Sequence, residues 1–487
     1  MPDVIVVGSG PAGMMLAGEL ALAGVGVAIM ERRPTGELAE SRAGGFHSRT
    51  IEILDQRGIA DRFLAEGKTG QTARFGSTVL DISDFPTRHP YGLGLWQSQM
   101  QPILEGWIDQ LGVIVHRGCE VVGFVQDESG VDVDLADGQK VRAAYLVGAD
   151  GGRSMVRKNA GIDFPGWDAT RSNLIAEVQV SEEPPSGMLQ DETGVHGFTL
   201  LEDGRRYRVI TTEQQLGSRE GPGLTDLGNA LRAAYGTDFG VHSPTSISRF
   251  TDATRQAATY RKGRVLLAGD AAHVHYPAGG QGIGLGLQDA VNLGWKLAQV
   301  VKGISLESLL DTYHSERHSG GARALKHSMA QTALQRLDAR TAALAETVGE
   351  LMSMDQPRRH VAALIHGLDI TYDLGEGHPL LGRRMPDLDL DTANGPTRVF
   401  TLLHDAKPVL LNFAEPNRLE IAPRAGRVQL VDARFAGAWR LPLVGEVTPP
   451  TAVLIRPDGY VAWVGQGTDQ GLADALDFWF GPGLPVR

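Results

Sequence analysis

Four short, almost wholly apolar runs punctuate the chain at 4–7, 25–30, 144–148 and 264–268. A run that is apolar at every position, rather than at alternate ones, predicts a strand buried on both faces, as in a parallel sheet covered by helices. Between the first two runs, residues 14–23 suit a helix. Residues 3–31 therefore read as strand, glycine-rich turn, helix, strand, a βαβ unit. Residues 69–96 carry Pro86 and Pro90 and predict irregular chain, followed by a helical stretch to Leu111. Residues 113–115, 121–125 and 131–135 predict strands, with Asp137-Gly138 marking a hairpin between two of them.

From about 173 to 249 the pattern changes to alternating apolar and polar positions broken by turns, which predicts a sheet-rich insertion. Phe198, Leu200, Tyr207 and Val209 share strand spacing there. They face either a ligand cleft or a core, and alternation alone does not separate the two. The 264–268 run resumes the parallel-sheet pattern, a helix is predicted over 287–301, and 306–367 reads as largely helical. After the Gly- and Pro-rich stretch 375–386, strands are expected at 409–413, 428–431, 452–455 and 461–464, with a last helix at 472–480. That texture predicts a separate small α/β domain. The expected boundaries are 1–172, with a short excursion near 69–100 into the substrate-binding part, then 173–262, 263–388 and 389–487.

Composition narrows the classes. The chain has 487 residues, 42% hydrophobic and 21% charged, the profile of an ordinary globular protein. With 58 acidic against 46 basic residues, the net charge of −12 comes with no basic block, which argues against nucleic acid as a partner. The single cysteine, Cys119, excludes an internal disulfide and a CxxC redox pair. A reducing, cytoplasmic setting is expected. No apolar run suits a membrane span.

Residues 8–13, Gly-Ser-Gly-Pro-Ala-Gly, form a GxGxxG between the first strand and the helix. In that setting Gly8 permits the turn, Gly10 lets backbone approach a pyrophosphate, and Gly13 lets helix pack on strand. The helix N-terminus beside Ala12 offers partial positive charge to phosphate. Glu31 ends the next strand, where a carboxylate accepts hydrogen bonds from a ribose. Asp150 and Asp270 each follow a buried strand, beside Gly151 and Gly269, at the sheet edge where open α/β folds bind ligands. Asp270 suits a ribitol hydroxyl; it suits a helix N-cap equally well. The stretch 277–286, Pro-Ala-Gly-Gly-Gln-Gly-Ile-Gly-Leu-Gly, has five glycines in eight residues before a strong helix. Close approach of backbone to a ligand explains that density better than a flexible surface turn does.

Taken together, these stretches resemble the group A flavoprotein aromatic hydroxylases, whose fold is that of p-hydroxybenzoate hydroxylase. The nearer likeness is to actinobacterial polyketide hydroxylases and rifampicin monooxygenases. Further matching strings are Ser41-Arg42, Phe46-His47-Ser48-Arg49-Thr50, Trp96-Gln97, the run 382–386 and the run 456–460, so the resemblance covers nearly the whole chain. It implies an α/β architecture: a Rossmann-like FAD-binding domain, an inserted β-rich substrate domain and a C-terminal thioredoxin-like domain.

The resemblance also implies FAD as cofactor, NADPH or NADH as reductant, and oxygen transfer through a flavin C4a-hydroperoxide to an aromatic substrate. In the sites it implies, Arg42 and Gln97 lie on the flavin side, Val121 lies near the adenine, and Asp270 holds the ribitol. Pro277, Gly280, Gln281, Gly282 and Ile283 border the isoalloxazine. Arg32 and Arg33, after Glu31, are candidates for phosphate or for solvent. No metal site is expected, no residue is assigned as a catalytic base, and a homodimer is left open. The preferred substrate is a large phenolic polycycle of polyketide type. The alternatives are inactivation of an aromatic antibiotic such as a rifamycin, and a non-catalytic FAD-binding redox sensor. Gly284 departs from the family pattern, which has Asn there.

Overall fold

The computed structural model describes all residues except 37–42, 193, 202, 218–220, 417, 420, 422–423, 425 and 483–487. Its central sheet is the one predicted by the apolar runs. In order across the sheet lie Arg261–Lys262, Val265–Leu267, Tyr145–Gly148, Val4–Val7, Val27–Glu31 and Ile114–Arg117, all parallel except the first pair. Val7 is in register with both Met30 and Gly148, and Gly148 with Leu267. The carboxyl ends of four strands therefore meet along one edge, which is where the glycine turn, Glu31, Asp150 and Asp270 emerge.

The first helix, Pro11–Leu22, packs on the Gly282–Val301 helix almost backbone to backbone. A Cβ on Gly294 would sit 2.4 Å from the Cβ of Glu19, and one on Gly286 would sit 3.3 Å from the Cβ of Ala12. Small residues at these positions let two helices share one layer over the sheet. The second helix starts at Gly282, five residues before the apolar pattern announces it.

The insertion is a five-stranded antiparallel sheet in the order Gly187–Asp191, Gly194–Leu200, Tyr207–Thr212, Ser172–Gln179 and His242–Thr251. Its two faces differ. Phe198, Val209, Leu174 and Ala176 are buried against Leu227, Ala230 and Leu231 of the Leu224–Tyr235 helix. Of the two alternatives left open for Phe198 and Val209, cleft or core, the structure has the core: both are buried inside this domain, while Leu200 is exposed. The opposite face carries Asn173, Ile175, Arg208, Ile210, Thr212 and Phe250. It looks back toward the 277–282 loop.

Beyond 388, six strands form a mixed sheet in the order Gly395–Arg398, Asp389–Thr392, Gln429–Arg434, Val409–Asn412, Ala452–Ile455 and Val461–Gly465. Val409–Asn412 is parallel to Gln429–Arg434 and antiparallel to Ala452–Ile455, the thioredoxin-like arrangement. This domain is fastened by charge as well as by apolar packing. Arg456 donates to Glu316 at 2.6 and 2.8 Å, and Lys296 Nζ lies 2.8 Å from the same carboxylate. Arg57 is paired with Glu19 and also donates to the carbonyls of Leu403 and Pro457. Trp295 meets Trp479 and Phe480 across the same contact. Among the described residues, no helix is long and apolar enough to cross a membrane.

Candidate FAD site and active-site loop

The three glycines of the first turn do three different jobs. Gly8 has φ +104, and a Cβ there would lie 2.5 Å from the Ala149 carbonyl. A Cβ on Gly13 would lie 2.1 Å from the Gly8 carbonyl, so helix and turn close only without one. Gly10 is different: nothing lies within 4 Å of its would-be Cβ. The protein's own packing does not require glycine there, and the open space lies at the N-terminus of the first helix, which has no side-chain cap. A free helix N-terminus facing open space suits a pyrophosphate. Ala12 instead packs its methyl against Gly269 and Gly286.

Glu31 is buried at the end of its strand and ringed by donors. Ser9 N and Oγ donate at 2.9 and 2.8 Å, and Arg33 N and Nε at 2.9 and 3.1 Å. Burial alone would raise its pKa, but the hydrogen bonds from Arg33 and Ser9 outweigh that and hold it at about 2. The carboxylate is charged and fixed, as a ribose acceptor needs to be. The sequence reading passed over Ser9 and left Arg33 between solvent and phosphate. Arg33 turns inward onto Glu31, while Arg32 is exposed. Val121 is buried at the start of its strand, two residues from Cys119, whose N–H donates to the Glu31 carbonyl.

The two aspartates part company. Asp150 accepts from Ser154 Oγ and from the backbone of Met155 and Val156 at 2.5, 2.7 and 3.1 Å, so its carboxylate is occupied at the start of the Met155–Asn159 helix. Asp270 is exposed and has no hydrogen-bond partner among the described residues. The short turn Gly269–Ala271 has no side-chain cap either. The capping alternative therefore falls away for Asp270, while Asp150 braces Ser154, the N-cap of the next helix, and accepts from that helix's first two N–H groups.

Behind Asp270 lies a buried network that sequence reasoning missed. Asp289 accepts from His273 Nε2 at 2.6 Å, Arg317 Nε at 2.8 Å and the Gly269 N–H at 3.1 Å. Burial would raise the Asp289 pKa; the charges of His273 and Arg317 outweigh it and lower it. The network ties the turn that carries Asp270 to two helices.

The 277–282 loop turns on consecutive left-handed glycines, Gly279 at φ +79 and Gly280 at φ +64. His47 Nε2 donates to the Gly279 carbonyl at 2.6 Å, Ser328 Oγ donates to the Tyr276 carbonyl at 2.7 Å, and Gln281 Nε2 donates to Leu364 and Ile365. Pro277 and Gly280 remain exposed. Ile283 is half-buried in the first turn of the long helix, whose N-terminus has no side-chain cap at Gln281 or Gly282. A Cβ on Gly284 would lie 2.4 Å from Thr50 Oγ1, so Thr50 occupies the space an asparagine would need. Gln97 opens its helix with its N–H on the Ala43 carbonyl, beside the exposed Trp96. Arg42 lies outside the described residues. Among those residues no group of side chains suits a metal.

Two uncapped helix N-termini, a fixed carboxylate and a free one along one sheet edge fit a flavin dinucleotide. Residues 1–328 match the FAD binding domain family, and 378–483 match the C-terminal domain of aromatic-ring hydroxylases. The chain belongs to the FAD-dependent aromatic-ring hydroxylases and is an FAD-dependent monooxygenase. It is 42% identical to the 12-dehydrotetracycline 5-monooxygenase/anhydrotetracycline 6-monooxygenase of Streptomyces rimosus, covering 99% of each chain. It is also 42% identical to a rifampicin monooxygenase of Streptomyces venezuelae, again over 99% of each. A solved aromatic hydroxylase from angucycline biosynthesis superimposes with a TM-score of 0.91 at 41% identity, covering 99% of each chain.

Proposed function

We propose that this monooxygenase hydroxylates a large, planar, phenolic polycycle of polyketide type, with NADPH as the preferred reductant. The observation that carries the reading is the full-length likeness to enzymes named for tetracycline- and angucycline-type substrates. In this reading Glu31 takes the adenosine ribose, Asp270 the ribitol, and the N–H groups at 280–283 the pyrimidine edge of the flavin, with Gln97 and Arg42 on its other side. FAD supplies the redox and oxygen-activating chemistry. The chain orients the cofactor, excludes water, and offers a helix N-terminus to negative charge on the ring.

A second reading, inactivation of a rifamycin-type antibiotic, rests on the equal identity to a rifampicin monooxygenase. We read the enzyme as cytoplasmic and acting on a small molecule alone. The test compares NADPH oxidation and product hydroxylation across simple phenols, anhydrotetracycline and rifampicin. Coupled turnover of a polycycle is expected. Efficient coupled turnover of a single-ring phenol, with no response to the polycycles, would overturn the assignment.

A further inference from the structure

The protein takes up the carbonyls of the 276–282 loop and leaves its last N–H groups alone. The Tyr276 carbonyl accepts from Ser328 Oγ and His275 Nδ1 at 2.7 and 2.8 Å, and that of Pro277 from Gly280 N at 3.0 Å. The Gly279 carbonyl accepts from His47 Nε2 at 2.6 Å, and that of Gln281 from Leu285 N at 2.9 Å. Among the described residues, the N–H groups of Gln281, Gly282 and Ile283 have no acceptor. The peptide between Gly279 and Gly280 is the joint of this arrangement. His47 holds its oxygen, Pro277 holds its N–H, and the residues on either side have φ +79 and +64. Glycine rotates more freely than any other residue. The plane of that peptide, and with it the aim of the three N–H groups that follow, is therefore set by the two groups that grip it.

A carbonyl oxygen only accepts, so Nε2 of His47 carries the hydrogen. Burial keeps the ring below the ordinary histidine range, with the bond to Gly279 pulling the other way. The grip is thus a neutral N–H, which fixes the carbonyl without setting a charge beside the loop. Nor is the ring free to swing. His47 is the N-cap residue of the Ser48–Asp55 helix, its own carbonyl accepting from Thr50 N and Ile51 N at 2.9 and 3.1 Å. Its ring meets that of His366 edge to face at 4.7 Å, and His366 Nδ1 accepts from Ser48 N at 3.2 Å. The same helical turn reaches the far end of the glycine run, where Thr50 Oγ1 fills the space beside Gly284.

Building on the reading in which the 280–283 N–H groups meet the pyrimidine edge of the flavin, we propose that His47 is a positioning residue that aims those groups through the Gly279 carbonyl and so sets how much more tightly reduced FAD is bound than oxidised FAD. Negative charge on the ring grows on reduction, so well-aimed donors favour the reduced form. Loosening the joint costs the reduced form more than the oxidised one, and the reduction potential falls.

The test measures the two-electron reduction potential of the FAD-loaded protein by equilibration with a reference dye. The FAD dissociation constant and the denaturation midpoint are measured beside it. His47→Gln keeps an N–H donor at similar reach, while His47→Met keeps the length and loses the donor. His47→Met is expected to weaken binding of reduced FAD about tenfold more than that of oxidised FAD, a fall of about 30 mV. His47→Gln should stay close to wild type. If His47→Met fails to fold, His47→Asn, a donor too short to reach the carbonyl, is read against His47→Gln instead. Equal potentials in all the proteins, or an equal fall in the variants with and without the reaching donor, overturn the proposal. Glu31→Gln and Asp270→Ala keep that failure apart from failure of the flavin site. Weaker FAD binding in these two leaves the site standing without the role of His47, whereas unchanged FAD affinity in both sinks the site and the proposal together.

Discussion

His273 Nε2 lies 2.6 Å from Asp289 Oδ2, with both side chains sealed from solvent, and Arg317 closes the other side of the same carboxylate. Asp289→Asn leaves two buried cationic or donor groups without their counter-charge. Such a break typically costs about 3–5 kcal/mol. We expect a large fall in the denaturation midpoint together with loss of FAD on gel filtration, because the Gly269 turn that carries Asp270 is released. A stable, fully loaded Asp289→Asn protein would contradict this account.

Asp270 and Asp150, alike in sequence setting, should separate cleanly in experiment. Asp270→Ala removes a carboxylate with no partner in the protein, so stability of the apoprotein should hold while FAD affinity drops. One charge-assisted hydrogen bond of about 1.5–3 kcal/mol corresponds to roughly 10- to 200-fold. Asp150→Ala instead removes the contacts to Ser154, Met155 and Val156 and should cost stability by about 0.5–2 kcal/mol. Paired measurements of apoprotein denaturation and FAD dissociation check both.

Gly284 and Thr50 should show coupling. Gly284→Ala forces the Thr50 hydroxyl to move, at a cost of about 1–3 kcal/mol. In a Thr50→Ala background the new methyl has room, and most of that cost should vanish. A double-mutant cycle in chemical denaturation reads the coupling directly.

Acid should weaken the loop before it protonates the carboxylates. Burial holds His327 down at about 4, with repulsion from Arg323, His47 and His275 adding to it. Burial likewise lowers His47, His275 and His366. Unfolded histidine titrates near about 6.5. Between the two values the unfolded chain binds the extra proton, so stability is fully present above about 6.5 and falls as pH drops toward about 4. His327→Gln should remove up to one proton from that slope, about 1.4 kcal/mol per pH unit. Urea midpoints measured across this range give the slope for both proteins.

Arg456→Met tests the hold on the C-terminal domain. It strips Glu316 and Asp458 of a buried cation, leaving them Lys296 and the Asn292 amide. A loss of about 3–5 kcal/mol is expected. Limited proteolysis should then cut between the two parts before either is digested.

Much of this molecule was legible from local pattern, and what escaped has a common cause. Strands Val4–Val7 and Tyr145–Gly148 announce themselves because a doubly covered parallel strand tolerates no polar position. The glycine turn and Glu31 stand out in the sequence because the phosphate and ribose contacts proposed for them need fixed spacing. Helix Gly282–Val301 was entered late, since glycine is a poor helix former and tertiary packing against Ala12 decides its first turns. Phe198 and Val209 showed a buried face but not its neighbour, which period two never specifies. The triad of His273, Asp289 and Arg317 spans 45 residues from first to last, and nothing in its local sequence marks it.

The helix Gly282–Val301 begins at the flavin loop and ends among the groups that grip the C-terminal domain, with Asn292 bonded to Asp458 and Trp295 against Trp479. One rigid rod of about 30 Å thus has the loop proposed for the flavin at its head and the C-terminal domain at its foot. The chain can be divided on paper near 388, yet its energetics cannot be divided there. A hybrid that takes its last hundred or so residues from another hydroxylase would inherit mismatched partners for Glu19, Lys296 and Glu316, and the misfit would be delivered along the rod to the flavin. Exchange among such enzymes should succeed only when the two long helices travel with the domain they anchor.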